Sequence, residues 1–205
     1  LEKKVSSKNK KDIVNLERSV KDTLLTTKVF AYKGNDLTVQ ACETLINNLY
    51  LHDIRGVGGK KSLILGAGNI GFKIAQKLVE SGSDVHLYRR NKKLLKKIVL
   101  TLNSLIPKAT VAKAKLVSKI TELSKYDLII GSTNGVSLLK KKHILKLKEG
   151  VNIIDIGKGL LEKEALKLAI KNNIFVYRLD VSPAYEGYLE NIFLTKNLYL
   201  NKSNL

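Results

Sequence analysis

The chain has 205 residues, 44% hydrophobic and 27% charged, which is the composition of a soluble globular protein with one good core. A single cysteine, Cys42, excludes an internal disulfide framework and a Cys-based zinc site, and no run of 18 apolar residues exists to span a membrane. The formal net charge is +19, but nearly all of the excess is lysine scattered along the chain, with five arginines and only 6% aromatic residues, so the basic and aromatic interleaving of a nucleic-acid surface is missing.

Nucleic acid and membrane are therefore not expected partners. The Lys-rich start lacks the apolar segment of a secretory signal, and a cytoplasmic location is expected. No metal site is expected.

In chain order, residues 12–24 carry Ile13, Leu16, Val20 and Leu24 at helical spacing, and residues 28–32 read as a brief strand or extended arm. Gly34-Asn35-Asp36 is a turn signal, followed by an apolar-periodic helix over 38–51 with Val39, Cys42, Leu45, Ile46 and Leu49 inward. Residues 56–60, GVGGK, read as a flexible hinge leading into residues 62–65, a short apolar run of buried-strand type.

The next turn is Gly66-Ala67-Gly68-Asn69-Ile70-Gly71. From Ile70 a helix runs to Gly82, and residues 84–88 alternate toward a second strand. This is G-x-G-x-x-G between a strand and a helix, inside a unit of about 30 residues, the context in which the motif signifies a dinucleotide site. The first glycine permits the tight turn, the second lets a pyrophosphate approach the backbone, and the third lets helix and strand pack closely. The helix N-terminus then offers N–H groups and a positive dipole end to phosphate.

An NAD site usually carries an acidic residue about 20 positions on, where it bonds the ribose 2′-hydroxyl. Here the region reads Tyr88-Arg89-Arg90-Asn91, without a carboxylate. Two guanidiniums suit a 2′-phosphate through charge-assisted bonds, so NADP is favoured over NAD as cofactor.

The alternation then continues. Helices are expected over 92–105, 120–126, 138–147, 161–172 and 185–195, and strands over 111–117, 127–132, 151–156 and 174–179. Six strands alternating with helices give an α/β, doubly wound parallel sheet of Rossmann type, with order 3-2-1-4-5-6 under right-handed crossovers, preceded by a short helical or extended arm. The domains expected are 1–58, an arm and linker helix, and 59–205, the dinucleotide-binding domain.

Ligands in such a sheet sit beyond the carboxyl ends of the strands. That selects Gly66 to Gly71, Arg89 to Asn91, the Ser132-Thr133-Asn134-Gly135 loop near the nicotinamide half, and Gly157-Lys158-Gly159. Asp155, near the end of its strand, is expected either to bond neighbouring backbone or to face the site. The histidines are further titratable options: His86 reads as a packed strand histidine, His143 as structural or exposed, and His52 as a residue able to reach a cleft at the hinge.

The segment from Gly34 to about Thr195 resembles the cofactor domain of the shikimate dehydrogenase and glutamyl-tRNA reductase families. Gly34-Asn35-Asp36 is similar to the Asn-Thr-Asp-Gly segment of shikimate dehydrogenases, Gly59-Lys60-Lys61 to their Gly-Lys lead into the cofactor loop, and Arg89-Arg90-Asn91 to their Asn-Arg-Thr NADP clamp. The resemblance implies a substrate-contacting role for Asp36. The middle Thr and final Gly of that segment are absent, the Asn-Val-Thr substrate motif is not visible, and residues 1–33 are too few to hold a substrate domain with its catalytic lysine.

The leading expectation is an NADP-dependent oxidoreductase acting on a small hydroxy or carbonyl substrate, or the cofactor-binding portion of one. Asp36, Lys33 and Lys158 are the acid/base candidates, in that order, and a homodimer sharing a cleft is compatible with the incomplete substrate domain. Two alternatives remain at this level: a non-catalytic nucleotide-sensing module, and a tRNA-linked reductase of the glutamyl-tRNA reductase type, which requires a nucleophilic cysteine.

Overall fold

The computed structural model describes residues 16–27, 29–30 and 32–202, which fall into two units divided between Gly34 and Asn35. In the first, α1 (Leu16–Thr23) is a short helix braced by an Arg18–Asp22 ion pair of 3.6 Å and by the Thr23 hydroxyl donating to Ser19 O at 2.7 Å. The part of the expected helix over 12–15 lies outside the described residues, as do Lys28 and Ala31. Val29, Phe30 and Tyr32 belong to no strand, so of the two expectations for residues 28–32, a brief strand or an extended arm, the strand is not seen among the described residues.

The second unit is a six-stranded, all-parallel sheet. Its strands are β1 (Lys61–Leu65), β2 (Asp84–Tyr88), β3 (Ala114–Val117), β4 (Leu128–Gly131), β5 (Asn152–Asp155) and β6 (Phe175–Arg178), in the order β3-β2-β1-β4-β5-β6. The expected topology is the observed one. The helices are α2 (Gly34–Leu49), α3 (Asn69–Glu80), α4 (Lys92–Leu105), α5 (Lys141–Ile144), α6 (Lys163–Lys171) and α7 (Ser182–Lys202).

Side chains alternate across the pleat, so each central strand feeds two cores. Ile64, Leu128, Ile130 and Ile154 face one side with α2, α3 and α4. Leu63, Leu65, Ile129 and Ile153 face the other with Leu139, Ile144, Ala165 and Ala169. Strands β1 and β4 are buried along their lengths apart from exposed Lys61, as near-continuous apolar strands of a parallel sheet must be.

Several elements differ from the sequence expectation for local reasons. Gly34-Asn35-Asp36 is the first turn of α2 rather than a separate turn, where the Asp36 carboxylate suits the helix dipole and pairs with Lys73 of α3. The 56–60 segment is a hydrogen-bonded turn rather than a hinge: Gly58 N–H donates to Arg55 O at 2.8 Å, Lys60 N–H to Val57 O at 3.1 Å, and Val57 is buried.

The expected helix over 120–126 is one 3-10 turn at Leu123–Lys125, and the expected 138–147 helix shrinks to α5 because Leu139 instead forms a parallel bridge with Leu161. Strand β3 begins at Ala114, not residue 111. Helix α7 starts earlier than expected, at Ser182, whose N–H and hydroxyl both donate to Asp180 Oδ1 at 2.9 and 2.8 Å, with Pro183 tolerated in the first turn.

A polar network ties the segment after α2 to the amino ends of the strands. Tyr50 donates to Asp127 O at 3.2 Å and accepts from Asn152 Nδ2 at 3.3 Å. The Asp127 carboxylate accepts from Lys61 N–H at 2.7 Å and from Lys148 at 2.5 Å. Partial burial alone would raise the Asp127 pKa, but the Lys148 and Lys61 bonds outweigh it and hold the carboxyl below its ordinary value.

A depressed folded-state pKa stabilises the fold above the ordinary aspartate value, and that contribution disappears as pH falls through the lower, folded value. Asp127→Asn should therefore flatten the acid limb of a stability-versus-pH curve measured by denaturant unfolding. An acid limb identical to that of the parent would contradict this role.

Candidate functional site

The carboxyl ends of β1, β2 and β4 open on one cleft, of about 460 Å³, lined by Gly66, Ala67 and Gly68, by Tyr88 to Asn91, and by Ser132 to Asn134, Val136 and Leu138. Its floor is built by close backbone contact. Gly66 has φ +110°, a conformation that disfavours a side chain, and a Cβ there would meet Ser132 O at 2.7 Å. The Ser132 hydroxyl donates to Gly66 O at 2.5 Å, and a Cβ on Gly71 would strike Gly66 O and the Ser132 hydroxyl. Gly68 differs: nothing lies within 4 Å of its Cβ position, so the backbone there is open to a ligand.

Gly68 is also the N-cap of α3 and supplies no side-chain cap, and the first bond of the helix is Phe72 N–H to Gly68 O at 2.8 Å. The N–H groups of Asn69, Ile70 and Gly71 in the first turn are therefore left to an outside acceptor, at the positive end of a 12-residue helix. Ala67 is buried and Ile70 packs partly into the core, which fixes the turn from beneath. The turn thus presents free N–H groups and an open glycine at a helix N-terminus, a geometry able to accept an anion.

The end of β2 supplies the charge. Arg89 is half-buried and its guanidinium donates to Ala67 O, so the arginine is attached to the glycine turn itself. Arg90 is exposed beside it. Asn91 accepts from Leu94 N–H at 3.0 Å and caps α4. Among the described residues no carboxylate lines the cleft.

The β4 loop and the β5 loop are knitted together. A Cβ on Gly157 would collide with Thr133 O, and Ser137 donates to Gly159 O at 2.7 Å. Asp155 Oδ2 accepts from Gly159 N–H at 2.8 Å and Leu160 N–H at 3.0 Å, so it bonds neighbouring backbone, while its Oδ1 is buried without a hydrogen-bond partner among the described residues. Between them Lys158 is exposed with φ +59°, a left-handed conformation uncommon for a residue with a side chain.

Asp36 and Lys158, the acid/base candidates of the second unit, are not brought together. Asp36 lines a groove between α2 and α3 with Gln40, Glu43, Lys73, Gln76 and Lys77, and is not among the residues of the cofactor cleft. Lys33 is an exposed residue of the first unit. Lys158 belongs to the loop that packs on Thr133.

Two of the three histidines serve the fold. His86 Nδ1 bonds the Tyr126 hydroxyl at 2.7 Å, and burial lowers its pKa. His143 Nδ1 accepts from Lys140 N–H at 3.0 Å at the start of α5, and His52 is exposed in the turn after α2. Cys42 is completely buried and its thiol is pushed up to about 12 by desolvation, with Glu43 adding to the shift, so it is no nucleophile at neutral pH. Among the described residues no group of three His, Cys, Asp or Glu side chains could hold a metal, and no helix is long and apolar enough to cross a membrane.

Sequence reasoning does not single out Tyr88, Val136 and Leu138 as cleft residues. The signal for Tyr88 is its place as the last residue of β2. Val136 lies just beyond the loop selected at 132–135, and Leu138 is hidden by the helical pattern that begins there.

Solved structures with this fold include a dipicolinate synthase subunit from Bacillus halodurans, with a TM-score of 0.57, 18% identity, and coverage of 74% of this chain and 50% of that one. D-mandelate dehydrogenase from Rhodotorula graminis gives 0.54, 16%, 71% and 49%, and D-lactate dehydrogenase from Salmonella gives 0.53, 19%, 73% and 49%. These likenesses are of fold, and the chain spans about half the length of the solved proteins it matches.

No curated protein sequence is significantly similar to it. Residues 46–197, more than half of the chain, match the family described as D-isomer specific 2-hydroxyacid dehydrogenase, NAD binding domain. The shikimate dehydrogenase resemblance of the Gly34 and Gly59 segments thus reflects a shared nicotinamide-binding architecture and not the family. The chain belongs to the NAD-binding-domain family of the D-isomer specific 2-hydroxyacid dehydrogenases.

Proposed function

We propose that this chain is the cofactor-binding portion of a dehydrogenase that uses NADP(H), in preference to NAD(H), on a small hydroxy or carbonyl acid. One observation carries the cofactor choice: the β2 end of the cleft presents Arg89 and Arg90 and no carboxylate. A 2′-phosphate there gains charge-assisted bonds from two guanidiniums, whereas a 2′-hydroxyl finds no acidic acceptor.

In this reading the Gly66 to Gly71 turn, with Ala67, Asn69 and Ile70, holds the pyrophosphate. Asn91 orders the clamp by capping α4, and Ser132, Thr133 and Asn134 border the nicotinamide half beside Gly157. The bound cofactor supplies hydride chemistry, and the chain supplies position and charge. Lys158 is the favoured polar contact for substrate, because its left-handed backbone is held by the Asp155 bonds to Gly159 and Leu160. Asp36, engaged by Lys73 away from the cleft, is the weaker candidate.

We read residues 1–58 as arm and linker helix to the cofactor domain over 59–205, with Val39, Cys42 and Ile46 of the linker helix α2 packed in that domain's core, and a homodimer is compatible with a substrate site completed elsewhere. The tRNA-linked reductase reading loses its nucleophile in buried Cys42.

Nicotinamide fluorescence with NADPH and, separately, NADH tests the assignment. Arg90→Ala should weaken NADPH by about 1–3 kcal/mol and leave NADH unchanged, and Arg89→Ala, which also releases Ala67 O, should weaken NADPH more than NADH. Equal losses for both cofactors, or no binding of either, would overturn it. The glycine turn gives a second test. Gly71→Ala should lower stability by about 1–3 kcal/mol through overpacking against Gly66 O, measured by thermal melting. Gly68→Ala should stay within about 0.5 kcal/mol of the parent stability yet bind cofactor less tightly.

A further inference from the structure

Residues 85–121, which form most of β2, α4, β3 and their connections, contain ten Lys and Arg and no Asp or Glu, so all 18 carboxylates of the chain lie outside this segment. Elsewhere carboxylates are at hand and several lysines are partnered, as in Lys60–Asp53, Lys77–Glu43, Lys140–Glu162 and Lys148–Asp127, while others, such as Lys141, Lys142 and Lys146, are not partnered among the described residues. On this edge the side chains of Lys93, Lys96, Lys97, Lys108, Lys113 and Lys119 make no ion pair or hydrogen bond among the described residues. The same edge exposes large aliphatic side chains: Leu100 is 61% exposed, Leu105 58%, Val111 93% and Leu116 46%.

These groups share one side of the domain. The Asn103 side chain donates to Ala114 O and accepts from Ala114 N–H, both at 2.9 Å, which fastens the end of α4 along the outer edge of β3. Lys96 and Leu100 lie seven and three residues before Asn103, on the same helix stripe. Leu116 lies two residues after Ala114, on the same face of its strand. Cations and aliphatics are thus interleaved over the helix, the strand and the 107–113 loop.

From this arrangement we infer that the α4–β3 edge docks on an anionic lipid surface, with lysines at the headgroups and Leu100, Leu105, Val111 and Leu116 at the headgroup–acyl boundary. Other occupants fit less well. A second copy docked edge to edge would set this carboxylate-free, lysine-rich segment against itself, and Asn103 occupies the strand edge at Ala114 that an added peptide strand would need. A nucleic-acid backbone neutralises lysines but leaves four aliphatic side chains in water, and the segment offers no exposed aromatic ring for base stacking. An acidic bilayer satisfies both the charges and the apolar groups without a spanning helix.

Co-sedimentation of the chain with phosphatidylserine–phosphatidylcholine vesicles, and with phosphatidylcholine alone, tests this. The chain should bind the acidic vesicles and not the neutral ones. Lys96→Gln with Lys97→Gln should weaken binding roughly thirtyfold, at about fivefold per surface lysine. Leu100→Ser with Val111→Ser should weaken it by about threefold or more, with melting temperature and NADPH affinity unchanged. No binding to acidic vesicles at physiological salt, parent-like binding by the Leu100/Val111 variant, or tighter binding to an oligonucleotide than to vesicles would each overturn the inference.

Discussion

The structure depends on one close approach, where the turn after β1 meets the end of β4. Gly66 O lies under Gly71 and accepts the Ser132 hydroxyl, and the backbone of Ser132 occupies the space a Gly66 side chain would need. This contact fixes three things together: the angle at which α3 leaves the sheet, the direction of its first N–H groups, and the distance between the pyrophosphate turn and the β4 loop. Replacing any of these small residues moves the others. The open position at Gly68 is meaningful because everything around it is crowded.

The charge of the site is coupled to the same turn. Arg89 donates to Ala67 O, so the arginine that would grip a 2′-phosphate is attached to the turn that would hold the pyrophosphate. On the far side, Gly157 against Thr133 O and the Asp155 bonds to Gly159 and Leu160 carry the rigidity outward to Lys158. The loops after β1, β2, β4 and β5 therefore form a set of four that brace one another.

Much of this is legible in the sequence, for physical reasons. The alternation of apolar strands with helical periods determines a doubly wound sheet, and the order follows from crossover handedness. The glycine motif is readable because its spacing records steric needs. What escapes reading has non-local causes. The segment after Gly135 has a helical pattern over 138–147, yet Leu139 is captured by Leu161 and only Lys141–Ile144 remains helical. Gly34 to Asp36 looks like a turn, but the ion pair of Asp36 with Lys73, distant in sequence, accompanies a helix that begins there. The GVGGK segment suggests mobility by composition, whereas buried Val57 and two turn bonds hold it. Asp36 as a site residue rests on a family resemblance, while Arg89 and Arg90 rest on local chemistry.

The proposed recognition of a 2′-phosphate at the β2 end of the cleft involves only the adenosine half of a cofactor. It is tested most directly without the nicotinamide half, by calorimetric titration of the chain with adenosine 2′,5′-bisphosphate and with adenosine 5′-monophosphate. The account predicts that the bisphosphate binds at least about tenfold more tightly, as expected for one or two charge-assisted bonds. Equal affinities, or tighter binding of the monophosphate, would contradict it.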